Sequence, residues 1–204
     1  MTDEQGHFFT DCFCGVAHVG RAAERLGFRA RYYDIRIDPV HGDMTNPKVL
    51  RFLCKSAREG RMIACMLAPL CASWSCARHR TNVIRSGRFP WGVPRRYWYK
   101  PWSDNDHKAL EVGNATMRAA LRVAAACQKY GIPWAIENPY TSIVWQIQEV
   151  KDLLSRPEVH FGYVDFCHWK TPWRKRTGVL FGHCDLADLE RLWKCKCEGR
   201  GVCS

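Results

Sequence analysis

Residues 7–35 of the chain read "HFFTDCFCGVAHVGRAAERLGFRARYYDI" and combine two apolar runs with a helical pattern between them. The first run enters a turn at Gly15, after which apolar residues recur at helical spacing until Gly27. The second run ends at Asp34. A strand, a crossover helix and a second strand in this order predict two parallel strands of one sheet.

The same alternation continues along the chain. Two further apolar runs read "MIACMLAP" (residues 62–69) and "IPWAIENP" (residues 132–139), and each follows a helical pattern. The helix before the first of these runs is predicted to begin with Asn46 as its N-cap and Pro47 in its first position. The sequence therefore predicts an α/β fold with a mostly parallel sheet and helices on both faces. In such sheets ligands bind at the carboxyl ends of the strands, which is where Asp34, Cys71 and Glu137 fall.

The composition is that of a globular domain. The chain has 204 residues, of which 25% are charged and 47% are hydrophobic. No apolar run is long enough to span a membrane, and the first ten residues do not resemble a secretory signal. We therefore expect a soluble intracellular protein with no membrane partner; the compartment, whether nuclear, cytoplasmic or that of a virus-infected cell, is left open.

A formal net charge of +11 favours a polyanionic partner, and nucleic acid is the first candidate. Residues 78–102 interrupt the strand–helix alternation and carry seven Lys or Arg residues among six aromatic ones. Basic groups suit phosphates and aromatic faces suit unstacked bases. The alternative is a surface flap whose aromatic residues pack on the core. The predicted nucleic-acid contacts are Arg78, Arg80, Arg85, Arg88, Arg95 and Arg96.

Short motifs in a fixed order carry a family resemblance. The chain runs through "DCFCG", "YYDI", "APLCASWS", "AIENPY" and "KTPWRKRTGVLF", and this order resembles that of the C5-cytosine DNA methyltransferases. Residues 71–75 are similar to the family's Cys-Gln-x-Phe-Ser, and residues 137–139 are similar to Glu-Asn-Val. Arg174 and Arg176 resemble the paired arginines of a late motif. Leu70 stands where the family has a proline, which is shifted here to Pro69.

The resemblance implies a Rossmann-like methyltransferase domain over residues 1–182 that binds S-adenosylmethionine and methylates C5 of cytosine in nucleic acid, with DNA favoured over RNA. Cys71 would be the nucleophile that adds to C6, and Glu137 would bind and protonate N3. Arg174 and Arg176 would position the base. The cofactor-binding residues that the resemblance implies are Asp11, Phe13, Gly15, Asp34, Asp43 and Pro69.

Several alternatives stay open. A buried core thiol is the alternative for Cys71, and a helix or turn cap is an equally good interpretation of Asp34 taken by itself. The chain could be a catalytically silent nucleic-acid-binding module of the same fold, or a methyltransferase acting on RNA or on a base amine, since "NPY" (residues 138–140) resembles an amine-binding turn. A Gly-Asn pair in "VGNATMRAAL" (residues 112–121) resembles another motif of the family but lies out of order.

Residues 183–204 form a cysteine-rich tail. A structural zinc ion needs four nitrogen or sulfur ligands in a tetrahedral arrangement. Cys184, Cys195, Cys197 and Cys203 would supply them, with His183 as an alternative to Cys184. The competing interpretation is a set of reduced thiols without metal, as is usual for cysteines inside cells.

Overall fold

The computed structural model describes residues 6–75, 83–166 and 175–184, which form a six-stranded sheet with helices packed on it. The strands are β1 (Phe8–Cys12), β2 (Ala30–Tyr33), β3 (Met62–Leu67), β4 (Trp134–Pro139), β5 (Val159–Asp165) and β6 (Arg176–Gly182). The helices are α1 (His18–Arg25), α2 (Pro47–Arg58), α3 (Asp104–Lys129) and α4 (Gln148–Leu154). Short 3₁₀ turns lie at Arg95–Tyr97 and Ile143–Gln146.

The strand order across the sheet is β2-β1-β3-β4-β6-β5. The first four strands are parallel, which confirms the prediction of a mostly parallel sheet, whereas β6 runs antiparallel to both β4 and β5. From β1 the chain moves outward to β2 and then returns past β1 to β3. The carboxyl ends of β1 and β3 therefore flank a switch point, the place where open α/β sheets bind their ligands.

Helices cover both faces of the sheet. α1 contacts β1 and β2, while α2 and α4 both pack against α3. Because parallel crossovers are right-handed, the connection from β1 outward to β2 and the return from β2 to β3 place α1 and α2 on opposite faces. The core between the sheet and the α2–α3–α4 layer contains fully buried side chains from both, such as Leu53, Met117 and Ile136.

Local sequence explains where the helices begin. The Asn46 side chain accepts a hydrogen bond from the Lys48 N–H (2.9 Å), and Pro47 occupies the first turn of α2, as the helix-start pattern predicts. α3 begins with a capping box, in which Ser103 and Asp106 each bind the other's backbone N–H. None of the helices in the described ranges has the length and apolarity that a membrane span requires.

Candidate functional site

A cavity of about 690 Å³ opens at the switch point of the sheet. It is bounded by the turn after β1, the segment that follows β2, the loop after β3 and one side of α3. Its volume is in the range of cofactor and small-ligand pockets. The lining residues are Phe13, Gly15, Asp34, Ile35, Arg36, Gly42, Asp43, Met44, Thr45, Leu70, Glu111, Val112, Ala115 and Thr116.

The Asp34 carboxylate fixes the conformation of the turn that follows β1. Gly15 has a φ of 55°, a left-handed conformation that favours glycine, and its N–H donates to Asp34 Oδ2 (2.8 Å). Asp34 Oδ1 accepts the N–H of Arg36 (2.8 Å). Asp34 thus ties the ends of β1 and β2 together, and each of its oxygens keeps a further lone pair for a ligand.

Four of the six predicted cofactor residues line this cavity: Phe13, Gly15, Asp34 and Asp43. Asp11 does not, because it is buried beneath the turn and accepts the Gly20 N–H (2.7 Å), which seats α1 on β1. Burial raises the pKa of Asp11, and this hydrogen bond opposes the shift in part. Pro69 is also buried, and Leu70 takes its place in the lining.

Cys71 begins a tight turn just after β3. Its carbonyl oxygen accepts the N–H groups of Trp74 (3.0 Å) and Ser75 (2.9 Å), and its side chain is half-buried. Trp74 is fully buried and anchors the turn, since its carbonyl oxygen accepts the Ile143 N–H (3.0 Å) from the segment after β4. The turn is therefore fixed to the neighbouring strand's loop rather than free to move alone.

Glu137 lies in β4, the strand adjacent and parallel to β3. The next residue, Asn138, donates its side-chain N–H to the Pro69 carbonyl oxygen (3.1 Å) and so joins β4 to the segment that carries Cys71. The structure thus brings the Cys71 turn and the Glu137 strand side by side at one edge of the sheet. This juxtaposition is the one on which the family resemblance depends.

The Glu137 carboxyl group is poorly solvated. Its side chain is 20% exposed, and Oε1 has no hydrogen-bond partner among the described residues. Burial raises the pKa of Glu137, while Lys175 (Nζ–Oε1 3.7 Å) and the Thr177 hydroxyl oppose the shift. The Thr177 hydroxyl likewise lacks a partner that meets hydrogen-bond geometry. Two buried polar groups on neighbouring strands thus lack hydrogen-bond partners among the described residues, and such groups are suited to binding a polar ligand.

Arg176, which was predicted to position the base together with Arg174, lies on the opposite face of the sheet from Glu137. Its guanidinium makes a two-pronged ion pair with Asp165 (2.9 Å for each contact) and stacks over the Tyr163 ring at 4.2 Å. Residues alternate across a strand, so Arg176 and Thr177 face opposite sides of the sheet, and Glu137 shares its side with Thr177 and Lys175. Lys175 was missed by sequence reasoning; the period-two pattern backward from Thr177 is the signal that indicates it.

The basic aromatic segment, residues 78–102, is described from residue 83 onward and divides there into buried and exposed parts. Arg88, Arg95 and Arg96 are exposed, as a contact with nucleic acid requires, and their binding role stays a prediction. Arg85, by contrast, is 1% exposed and donates to the Leu110 carbonyl oxygen of α3, so it does not offer its guanidinium to a phosphate as predicted. The aromatic rings mostly pack on one another, as in the Trp98–Trp102 and Phe89–Tyr97 stacks, which favours the flap alternative for them. Tyr99 is fully exposed.

Six predicted residues lie outside the described residues: Arg78, Arg80, Arg174, Cys195, Cys197 and Cys203. Cys184 is described, and its thiol donates to the Gly182 carbonyl oxygen (3.4 Å). Within the described ranges no group of three or more His, Cys, Asp or Glu residues is arranged to hold a metal ion. The zinc site therefore stays a prediction.

Two solved structures are similar to the chain. One is the methyltransferase EhMeth of Entamoeba histolytica (TM-score 0.49, 12% identity, 91% of this chain and 55% of that one), and the other is the S. pombe Dnmt2 methyltransferase (TM-score 0.44, 11% identity, 97% and 57%). The chain thus spans just over half the length of each. No protein-family model and no curated protein sequence matches the chain.

Proposed function

We propose that the chain is an S-adenosylmethionine-dependent methyltransferase that acts on C5 of cytosine in nucleic acid, with DNA as the favoured substrate. The observation that carries the proposal is that Cys71 follows β3 while Glu137 lies in the adjacent parallel strand β4, and that Leu70, the residue before Cys71, lines the cavity at the switch point. Neither residue type alone would support it, since isolated cysteines and buried carboxylates are common in structural roles.

The residue chemistry fits this reaction. Cytosine C5 is a weak carbon nucleophile until a thiolate adds at C6, and Cys71 supplies the sulfur. The electron pair that this addition releases needs a proton at N3, and Glu137, whose pKa is raised by burial, is a suitable donor. Once C5 has accepted the methyl group, loss of the C5 proton to a base expels the Cys71 thiolate. N3 then returns its proton to the Glu137 carboxylate, which restores the neutral aromatic ring. Lys175 (Nζ–Oε1 3.7 Å) and Thr177 lie beside Glu137, and both oppose the rise in its pKa.

The cavity fits the cofactor. The lining contains three carboxylates, Asp34, Asp43 and Glu111, and one guanidinium, that of Arg36. Its net negative charge favours a cationic ligand. Asp34 would accept the ribose hydroxyls, and apolar residues such as Met44, Leu70 and Val112 would enclose the adenine. S-adenosylmethionine supplies an electrophilic methyl group on a sulfonium when bound.

The test is transfer of tritium from labelled S-adenosylmethionine to DNA and, separately, to RNA, followed by nucleoside analysis. We expect label in 5-methylcytosine from DNA. DNA with 5-fluorocytosine should in addition trap the protein as a covalent adduct, because fluorine cannot leave C5 as a proton does. Label only in RNA would change the substrate, label in a base amine would refute C5 chemistry, and no cofactor binding by calorimetry would favour a silent binding module.

The matched variants are Cys71→Ser and Cys54→Ser. Cys54 is a half-buried thiol on α2, remote from the cavity lining, and serves as the control. Loss of the nucleophile should lower transfer by at least roughly 10³-fold, because a serine hydroxyl is a far weaker nucleophile. Cofactor binding should survive in both variants. Turnover of Cys71→Ser at the rate of Cys54→Ser would refute the thiolate mechanism.

A further inference from the structure

We propose that Arg85 is a positioning residue for the Cys71 turn and that it couples this turn to the basic aromatic segment. The inference deepens the proposed function, because it concerns the proposed nucleophile. Arg85 is an arginine with 1% exposure in a segment whose other described arginines are exposed. Burying a guanidinium is costly unless hydrogen bonds satisfy its donors, so its partners indicate what the burial achieves.

The partners of Arg85 converge on the Cys71 turn. Its Nε donates to the Ser73 carbonyl oxygen (3.1 Å) and its Nη2 donates to the Ser73 hydroxyl (3.0 Å). The guanidinium carbon lies 3.5 Å from the centre of the Trp74 ring. Arg85 therefore contacts two consecutive residues of the turn: it hydrogen-bonds to the backbone and side chain of Ser73, and it makes a cation–π contact with the Trp74 ring.

The same guanidinium is anchored to α3. Nη1 donates to Asn114 Oδ1 (2.7 Å), and Nη2 also donates to the Leu110 carbonyl oxygen (3.2 Å). The adjacent Gly113 carbonyl oxygen accepts the Trp74 indole N–H (3.2 Å). Gly113 and Asn114, the Gly-Asn pair that lies out of order in the sequence, thus form the part of α3 against which the Cys71 turn packs.

Asn114 and Arg85 also bind the backbone of the basic aromatic segment. Asn114 donates its side-chain N–H to the Trp91 carbonyl oxygen (2.9 Å), Arg85 Nη1 donates to the Pro90 carbonyl oxygen (2.8 Å), and the Trp91 ring meets the Trp74 ring edge-on at 5.5 Å. One network of hydrogen bonds and ring contacts therefore joins Arg85, Pro90 and Trp91 of this segment to Ser73 and Trp74 in the Cys71 turn. A ligand that displaces the segment displaces the turn with it.

The experiment measures the alkylation rate of each thiol by N-ethylmaleimide, resolved by peptide mass spectrometry, in the full chain without cofactor or nucleic acid. The variants are Arg85→Lys and Asn114→Ala, and Arg51→Lys on the exposed side of α2 is the control. Lysine lacks the planar fork and cannot reproduce the contacts to Ser73 and Asn114 together. Half-buried Cys54 and buried Cys127 serve as internal references for overall loosening.

We expect the rate at Cys71 relative to Cys54 to rise at least roughly fivefold in Arg85→Lys, less in Asn114→Ala and not at all in Arg51→Lys. Cys127 should stay protected throughout. An unchanged Cys71 ratio in both variants would overturn the proposal, as would a parallel rise at Cys71, Cys54 and Cys127, which signals general destabilisation. Since the readout needs no substrate, it is independent of whether methyl transfer is found. Where transfer is measured, kcat should fall while the cofactor Kd stays constant.

Discussion

At the scale of single residues, the largely buried carboxyl group of Glu137, the proposed proton donor, lowers the stability of the folded chain. A glutamate that is 20% exposed, with an oxygen that lacks a hydrogen-bond partner among the described residues, destabilises the folded chain whenever it is ionised. Lys175 offsets only part of this cost, because burial is the larger influence on the pKa. Such perturbed carboxyl groups concentrate at functional sites.

Glu137→Gln is expected to shift activity and stability in opposite directions. Transfer should fall by roughly 10²- to 10⁴-fold, the usual worth of a positioned proton donor. The free energy of unfolding should rise near neutral pH, because the amide removes a buried charge. The raised folded-state pKa means that protonation stabilises the fold fully below the unfolded value of about 4.5, and that this contribution is lost as the pH rises through the folded value.

Urea denaturation of both proteins between pH 4 and pH 8 measures this difference. The stability gain of the variant should be largest at the alkaline end and should shrink as the pH falls toward the ordinary glutamate value. Glu149→Gln on α4, which is exposed, is the matched control and should show no such trend. A gain that grows toward acid pH would contradict the burial of Glu137 as described.

Asp34 offers a second test at this scale. Asp34→Asn places an amide N–H₂ against a backbone N–H of Gly15 or Arg36, and it also removes a charge-assisted acceptor. The affinity for S-adenosylmethionine should fall at least roughly tenfold, since such a bond contributes about 1.5–3 kcal/mol. Calorimetric titration measures it. Asp38→Asn changes a carboxylate of the same segment that does not line the cavity, and it should leave the affinity intact.

At the scale of elements, α3 is a continuous helix although it contains a glycine in its interior. Gly113 lies in the middle of a 26-residue helix, where glycine is usually unfavourable. A Cβ at this position would collide with the Ser73 hydroxyl and lie 2.8 Å from Arg85 Nη2. The close approach of the Cys71 turn therefore requires the absence of a side chain here.

Gly113→Ala separates helix propensity from tertiary packing. Propensity alone predicts a gain of about 1 kcal/mol in the free energy of unfolding. The described contacts predict instead a loss of about 1–3 kcal/mol, because the turn must move away from the helix. Denaturant titration decides the sign. Gly27→Ala is unsuited as a control since Gly27 has a φ of 87°, so Ser56→Ala in α2 serves as the reference for a buried helical substitution.

At the scale of the whole molecule, the topology brings distant segments to one edge of the sheet. β1, β3 and β4 are parallel neighbours, so their carboxyl ends place the glycine turn, Cys71 and Glu137 at the same edge. The chain has a net charge of +11, and its exposed arginines include Arg95 and Arg96. A polyanion would be attracted to the molecule before any specific contact forms.

Binding to duplex DNA should therefore weaken steeply with salt, because each phosphate contact releases counterions. Replacing Arg95 and Arg96 together by alanine should reduce the slope of log K against log salt concentration by roughly 1.8, at about 0.9 for each contact. Fluorescence anisotropy over a salt series measures the slope. The double variant Arg51→Ala/Arg58→Ala on α2 is matched in charge and should keep more of it. Equal slopes for the two double variants would show that binding is not localised on this segment.

The sequence by itself determined the strand–helix alternation, the cap of α2 and the positions of Asp34, Cys71 and Glu137 near strand ends, because these depend on local periodicity and turn chemistry. Only the tertiary structure decided what the long side chains do. Arg85 turns inward to grip Ser73, and Arg176 pairs with Asp165 on the far side of the sheet from Glu137. A flexible arginine reaches whichever acceptor the fold brings near, and those acceptors come from segments remote in the chain.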